Sequence, residues 1–219
     1  MNEMKPHDRS NGQPYNQKVG YFTAKRAFDF SIACMLLVGI TPILLLIGLL
    51  IMLFDGRPVF FKQIRTGYLG DSFIIWKFRT MRVHNDKLDH QYSWSKGIPT
   101  DFMFKTSNDN HVTKLGAVLR KYSLDELPQL INVIKGEMSI VGPRPEIPTI
   151  TQLYNSEQKI RLHVKPGITG YAQVHGRSNI NHGEKILYDL YYVQNCSFLL
   201  DLKIIIKTFI QVITGKGAY

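Results

Sequence analysis

From Phe30 to Phe54 the chain carries no charged side chain, and this run limits what the sequence can fold into more than any other feature. At about 1.5 Å per helical residue it is long enough to cross a hydrocarbon layer of about 30 Å. It is too long and too far from the N-terminus for a cleaved signal peptide, and no small-x-small cleavage site follows it. Lys25 and Arg26 precede the run while Arg57, Lys62 and Arg65 follow it, so the positive-inside tendency holds both ends on the cytoplasmic side. Gly39-Ile40-Thr41-Pro42 falls near the middle, where proline removes a backbone donor and bends a helix. These features predict a re-entrant helix-break-helix over residues 25–57, with a kinked single-pass helix as the competing form, since spanning helices tolerate proline. Residues 1–24 are polar and aperiodic and read as a disordered tail.

The remaining residues, 58–219, suffice for one compact domain. Pro58 to Gln63 and Ser72 to Phe78 alternate as short strands joined by a turn-rich connection, with Lys77 and Arg79 on one face and Trp76 and Phe78 on the other. Residues 84–112 are polar and broken by Gly97 and Pro99, as in an excursion or lid; His84, His90 and His111 lack the close spacing of zinc ligands. Lys114 to Lys121 suits a short helix, Gln129 to Ile134 another that Gly136 stops, and Ile150 to His163 a third. Gly142, Pro143 and Pro145 fix a rigid loop presenting Arg144, whose planar fork of donors suits phosphate, or else a structural ion pair with Glu137 or Glu146. Lys165 to Arg177 is glycine-rich and reads as a loop able to approach an anion. On a helical wheel, Phe198 to Thr214 separates Leu202, Ile205, Ile206, Phe209, Val212 and Ile213 from Asp201, Lys203, Lys207, Thr208, Gln211 and Thr214. That amphipathic helix either covers the core or lies in the membrane interface with its lysines toward anionic head groups, and the apolar run elsewhere in the chain favours the interface. The expected fold class is α+β: a re-entrant membrane helix on a small cytosolic α/β domain with amphipathic interfacial helices. Two cysteines, Cys34 and Cys196, give no disulfide framework, which fits a reducing cytoplasm.

Ser123-Leu-Asp-Glu-Leu-Pro-Gln-Leu130 sets two adjacent carboxylates into a chain of formal net charge +10. Ser123-x-x-Glu126 fits a capping box in which serine and glutamate satisfy each other's backbone amides. Pro128 opposes that register, because it lacks a donor and crowds the preceding turn, so an irregular start near Leu127 is the alternative. In both registers Asp125 and Glu126 lie where free amides and flanking bases attract an anion. The chemistry that suits such a pair is work on a phosphate.

Lys25-Arg-Ala-Phe-Asp29, Thr41-Pro42, Lys77-Phe-Arg-Thr-Met81, Ser123 to Leu130, Val141-Gly-Pro-Arg-Pro145, Pro166-Gly-Ile-Thr-Gly170 and Ala172-Gln-Val-His-Gly-Arg177 occur in one order along the chain. This succession resembles the signature of bacterial monotopic phosphoglycosyl transferases, over about residues 25–213. The resemblance implies transfer of a sugar 1-phosphate from a UDP-sugar to undecaprenyl phosphate, with release of UMP and with Mg²⁺, as the first step of polysaccharide or glycoconjugate assembly. It implies that Asp125 attacks the diphosphate and carries the phosphosugar, that Glu126 completes the dyad and its contact with proton or metal, and that Lys77, Arg120, Arg144, Arg177 and Asp189 line the site. Residence at the cytoplasmic face of the bacterial inner membrane follows from it, and it leaves room for a homodimer and for downstream glycosyltransferases as partners. Family members usually carry Trp and Asn where this chain has Tyr171 and His175, and often Asn where Ser178 stands, which bears on sugar specificity and leaves the chemistry intact.

Two other classes are weaker. An anchored module binding anionic lipid or nucleic acid accounts for the charge and the apolar run but not for the acidic pair. A conventional metal-dependent glycosyltransferase commonly uses Asp-x-Asp, which this chain lacks, and neither a Walker A nor a Gly-x-Gly-x-x-Gly cradle occurs.

Overall fold

The computed structural model describes residues 19–82, 94, 97–103, 111–176 and 179–215. Its longest element is helix α1, Val19–Phe54, long and apolar enough to cross a membrane. One narrow stripe of it, recurring every three or four residues as a helix face must, packs on the rest of the chain. Ala33, Leu37 and Ile40 meet Phe73, Ile75, Leu130, Val133 and Met138, and farther along Leu44, Ile47 and Ile51 meet Phe78 and Leu119. Its other faces, including Met35, Val38, Leu45, Leu46, Leu53 and Phe54, are exposed hydrocarbon.

Two expectations for this element change. The helix starts at Val19, inside the stretch read as a disordered tail, because Tyr21 and Phe22 pack against the cluster of Val141, Tyr192 and Ile204. The expected break at Thr41-Pro42 is instead a helix that runs through Pro42. Proline removes only the donor that would reach Val38, and the Thr41 hydroxyl adds a 2.6 Å bond to the Leu37 carbonyl beside it.

The remainder mixes helices with two small sheets, in keeping with the α+β expectation. Strands β1, Phe60–Thr66, and β2, Ser72–Phe78, form the antiparallel hairpin the alternation predicts, with Phe61 opposite Lys77 and Arg65 opposite Phe73. Helix α2, Lys114–Lys121, starts at a Thr113 cap and crosses the end of the hairpin at Gly116, where a Cβ would lie 2.2 Å from the Thr80 carbonyl oxygen. Helix α3, Leu130–Lys135, ends as expected on Gly136, which supplies the left-handed conformation of a helix stop. Strands β3, Ser139–Val141, and β4, Gly167–Thr169, pair in parallel.

Two further readings are corrected. The single helix expected over Ile150 to His163 is divided into α4, Pro148–Thr151, α5, Ser156–Lys159, and a 3₁₀ turn over Ile160–His163, because Asn155 makes a capping box with Gln158 and starts a new helix there. The glycine-rich stretch after Lys165 is ordered as β4 and α6, Tyr171–His175, rather than left as a loop. Helices α7, His182–Asn195, and α8, Phe198–Thr214, complete the chain. The proposed excursion at 84–112 falls mostly outside the described residues. Its described part brings Ile98 and Phe102 onto the cluster of Ile150, Tyr154, Ile186 and Leu190.

Helix α8 keeps the predicted division of faces and turns it outward. Thr208 bonds Thr169 at 2.6 Å, Gln211 donates to the Val174 carbonyl, and Asp201 is buried, while Leu202, Ile206, Phe209, Ile210 and Ile213 are exposed. Ile204 packs into the core and Lys203 and Lys207 are exposed, so the helix sets a seam of Asp201, Ile204 and Thr208 against the protein and leaves an outer surface of hydrocarbon bordered by lysines, an arrangement that suits a lipid neighbour.

Candidate active site

The acidic pair sits on a 3₁₀ helix, Leu124–Gln129, and not in a capped α-helix. The capping-box expectation fails because Ser123 adopts a left-handed conformation (φ 54°) and its side chain makes no cap bond. Pro128 explains the choice: the tighter 3₁₀ turn avoids the clash that proline imposes on an α-helical turn, and regular helix resumes at Leu130. Glu126 is thereby freed to face the hairpin.

Two elements converge on Glu126. Lys77, near the end of β2, places Nζ 2.7 Å from Glu126 Oε1. Arg144, on the rigid loop after β3, reaches the same carboxylate with Nη2 at 2.8 Å from Oε1 and Nη1 at 3.4 Å from Oε2. Burial would raise the Glu126 carboxyl, but Arg144 and Lys77 outweigh it and hold the group well below the usual carboxylate range. Burial presses the Lys77 ammonium down, with Glu126 working against that. Glu126 is therefore a fixed anion that aims two cations.

Asp125 differs in every respect. It is 9% exposed and makes no hydrogen bond or ion pair among the described residues. Burial, then the charge of Glu126, push its carboxyl up to about 6, against the pull of Lys77, Arg144 and Arg120. One residue is locked ionised while its neighbour keeps an open carboxylate that titrates near neutrality.

Of the other residues singled out from the sequence, Arg120 approaches through the tight α2 crossing, its Nε donating to Thr80 Oγ1 at 2.9 Å. Asp189 is fully buried on α7, its Oδ2 accepting from Arg161 at 2.9 Å, and Arg161 Nη2 donates to the Arg144 carbonyl at 2.8 Å. Asp189 thus touches the site through the loop that carries Arg144. Arg177 lies outside the described residues. Arg144 takes neither of the anticipated partners: Glu146 pairs with Lys185, and Glu137 accepts from Asn132.

Three basic residues escaped the sequence reading as site groups. Arg65 donates to the Pro145 carbonyl at 3.1 Å, and burial lowers its guanidinium to about 10. Lys185 is lowered to about 8 by burial, with Arg144 and Arg65 among the charges acting on it. Arg161 supports the loop from behind. Strand alternation contained the signal for Arg65, which shares a face of the hairpin with Lys77; nothing in the spacing of Arg161 or Lys185 marked them.

Among the described residues no group of three or more His, Cys, Asp or Glu forms an all-protein metal cage. An open carboxylate beside a second one, in a surround built for phosphates, still suits Mg²⁺, which keeps several waters and is bound through one or two carboxylates plus substrate oxygens.

A cluster of cations around a two-carboxylate centre, on a domain whose helices α1 and α8 expose hydrocarbon, suits an enzyme that handles phosphates beside a membrane. The profile of the bacterial sugar transferase family matches residues 20–215. Similar proteins include the exopolysaccharide production protein ExoY of Sinorhizobium fredii, 40% identical over 90% of this chain and 88% of its own length. An uncharacterized sugar transferase, EpsL, of Bacillus subtilis is 43% identical over 88% of this chain and 89% of its own. A UDP-glucose:undecaprenyl-phosphate glucose-1-phosphate transferase of Escherichia coli is 41% identical over 89% of this chain and 41% of its own, longer sequence. The chain belongs to the bacterial sugar transferase family and is an enzyme, a phosphoglycosyl transferase.

Proposed function

We propose that this enzyme moves a sugar 1-phosphate from a UDP-sugar to undecaprenyl phosphate in two displacements at Asp125, beginning the assembly of a polysaccharide or glycoconjugate that downstream glycosyltransferases extend. The observation that carries the reading is the asymmetry of the dyad: Glu126 is saturated by Lys77 and Arg144, and Asp125 is open.

In the first displacement an Asp125 oxygen attacks the sugar-bearing phosphorus of the donor. The bond from that phosphorus to the bridging oxygen breaks, and UMP leaves. In the second, an oxygen of undecaprenyl phosphate attacks the same phosphorus, the bond to Asp125 breaks, and a sugar diphosphate lipid departs with the carboxylate restored. Arg144, Lys77, Arg120 and, from outside the described residues, Arg177 offer donors to the phosphate oxygens as charge redistributes. Arg65 and Lys185 extend the same positive lining. Asp189 holds Arg161, and through it the carbonyl of Arg144, in place. Asp125, with Glu126 beside it, would hold Mg²⁺, which when bound neutralises charge between the carboxylate and the diphosphate.

The same reading places the domain at the cytoplasmic face of the bacterial inner membrane, with α1 entering and leaving by that face through a bend at Pro42 within the continuous helix. Both ends of α1 are fastened to one domain, which supports this topology. Lys25 binds Asp201 at 2.8 Å and Arg26 donates to the Val133 and Ile134 carbonyls at one end; at the other, Arg79 donates to the Gly56 carbonyl at 2.7 Å and Thr113 to Asp55 at 2.9 Å.

The test is UMP release from a panel of UDP-sugars with Mg²⁺, with and without undecaprenyl phosphate. Sustained release from one sugar nucleotide, only when the lipid phosphate is present, is expected. Sustained release without it, or none with any donor, would remove the lipid acceptor from the account.

A further inference from the structure

Away from the dyad, helices α6, α7 and α8 enclose an open groove of about 370 Å³, within the range of about 300–1,000 Å³ typical of ligand sites. Its walls are hydrocarbon and aromatic: Val174, Leu200 and Ile204 with Tyr171 and Tyr191. Its charged lining is of one sign. Lys203 and Lys207 lie one turn apart on α8, His175 is the third basic side chain, and among the described residues no carboxylate lines the groove. His175 is built into this mouth: its Nδ1 lies 2.7 Å from the Tyr171 carbonyl oxygen, which fixes the proton there, and its Nε2 faces Lys207 Nζ at 3.2 Å. Rings of Tyr171 and Tyr188 flank the imidazole, with centroids at 4.1 and 5.4 Å. Lys207 is thus held at the entrance by a neutral acceptor rather than neutralised by an acid.

The groove opens beside the part of α8 whose Leu202, Ile206, Phe209 and Ile210 are exposed, and the membrane placement proposed above, on which this inference rests, puts its mouth at the lipid interface. Hydrocarbon walls, cations at the rim and a position on an outward apolar helix together select one kind of occupant. We propose that this groove binds a single anionic phospholipid of the surrounding bilayer, its phosphate between Lys203 and Lys207 and the upper part of one acyl chain along Val174, Leu200 and Ile204. The site is separate from the acceptor's, and the bound lipid ties α8 to the membrane beside the catalytic domain.

Native mass spectrometry of the full chain in mild detergent tests this without reference to turnover. Phosphatidylglycerol, phosphatidylcholine, undecaprenyl phosphate and inorganic phosphate are titrated separately, and then undecaprenyl phosphate against bound phosphatidylglycerol. One phosphatidylglycerol retained in preference to phosphatidylcholine is expected, and the K203Q/K207Q double variant should weaken it by about tenfold or more, given about 1 kcal/mol per lysine near an anionic headgroup. The surface control Lys159→Gln should leave retention unchanged. Circular dichroism establishes that each variant is folded, and Ile206→Asn supplies an uncharged change at the groove rim that should also weaken retention if the double variant misfolds. Equal retention of both phospholipids, undiminished retention in the folded double variant, inorganic phosphate displacing the lipid, or undecaprenyl phosphate displacing it stoichiometrically would each overturn the proposal.

Discussion

Two buried charge clusters in this molecule are built from the same parts and do opposite work. At the root of α1, Lys25 sits between Asp29 and Asp201, and each carboxylate is occupied: Asp201 accepts from Lys25, Tyr21 and Tyr192, and Asp29 from Ser139 and, at longer range, from the Ile140 amide. At the dyad, Lys77 and Arg144 occupy Glu126, and the neighbouring Asp125 is left over. The first cluster joins the membrane helix to β3 and α8 and has no group to spare. The second has the same kind of fastening plus one carboxylate that burial keeps costly to ionise. A saturated cluster fastens; the unsatisfied group beside one is where chemistry is available.

The largest effect should come from Asp125→Asn. Turnover should fall by more than about 10³-fold, since an amide cannot attack phosphorus and loss of a nucleophile removes the whole covalent path. The fold should meanwhile become more stable at pH 7, because a group raised from 3.8 to about 6 favours its neutral form in the folded state. At about 1.4 kcal/mol per pKa unit the gain has an upper bound of about 3 kcal/mol. Thermal unfolding beside a turnover assay checks both halves.

The converse belongs to the other cluster. Asp201→Asn leaves Lys25 with Asp29 alone, at 3.7 Å, and removes a charge-assisted acceptor, which should cost about 1.5–3 kcal/mol of stability. Turnover per folded molecule should hold within a few fold, and a loss comparable to Asp125→Asn would erase the distinction between the two regions.

Much of this contrast was legible in advance. The hairpin and α8 follow from alternation and helical period, and the dyad stood out as adjacent acids in a basic chain. What the sequence concealed was set by tertiary contacts. Ser123-x-x-Glu126 has the letters of a capping box, but Glu126 gains more from Lys77 and Arg144 than from its own backbone, and Pro128 favours the 3₁₀ turn. Asp201 reads as one more polar residue on a helical wheel, and only the packing of Tyr21, Lys25 and Tyr192 around it shows a buried anchor. Arg161 had no local signal at all, because its partners Asp189, Tyr154 and the Arg144 carbonyl come from separate parts of the chain.

A smaller effect separates geometry from charge within the dyad region. Arg144→Lys keeps the charge and loses the fork, so about 1.5–3 kcal/mol, or roughly ten- to a hundredfold in kcat/KM, should be lost. Full activity in a folded Arg144→Lys enzyme would assign this arginine to structure alone.

The smallest effect is on pH. With Asp125 near 6, about nine-tenths of the enzyme is ionised at pH 7, and turnover should fall about tenfold for each pH unit well below 6. Glu126 is ionised throughout that window, its depressed pKa being reached only in stronger acid. Stability follows the opposite course: the advantage of neutral Asp125 is present below its ordinary pKa and disappears as pH rises through about 6. An activity profile flat between pH 5 and 7, with binding unchanged, would contradict the open-carboxylate assignment.

The most direct measurement of the central claim is intact-protein mass after the enzyme meets its UDP-sugar and Mg²⁺ with no lipid acceptor. The account predicts a sugar-phosphate adduct on the wild type, its removal when undecaprenyl phosphate is added, and no adduct on folded Asp125→Asn. An adduct of equal yield on Asp125→Asn, or normal turnover by that variant, would contradict it.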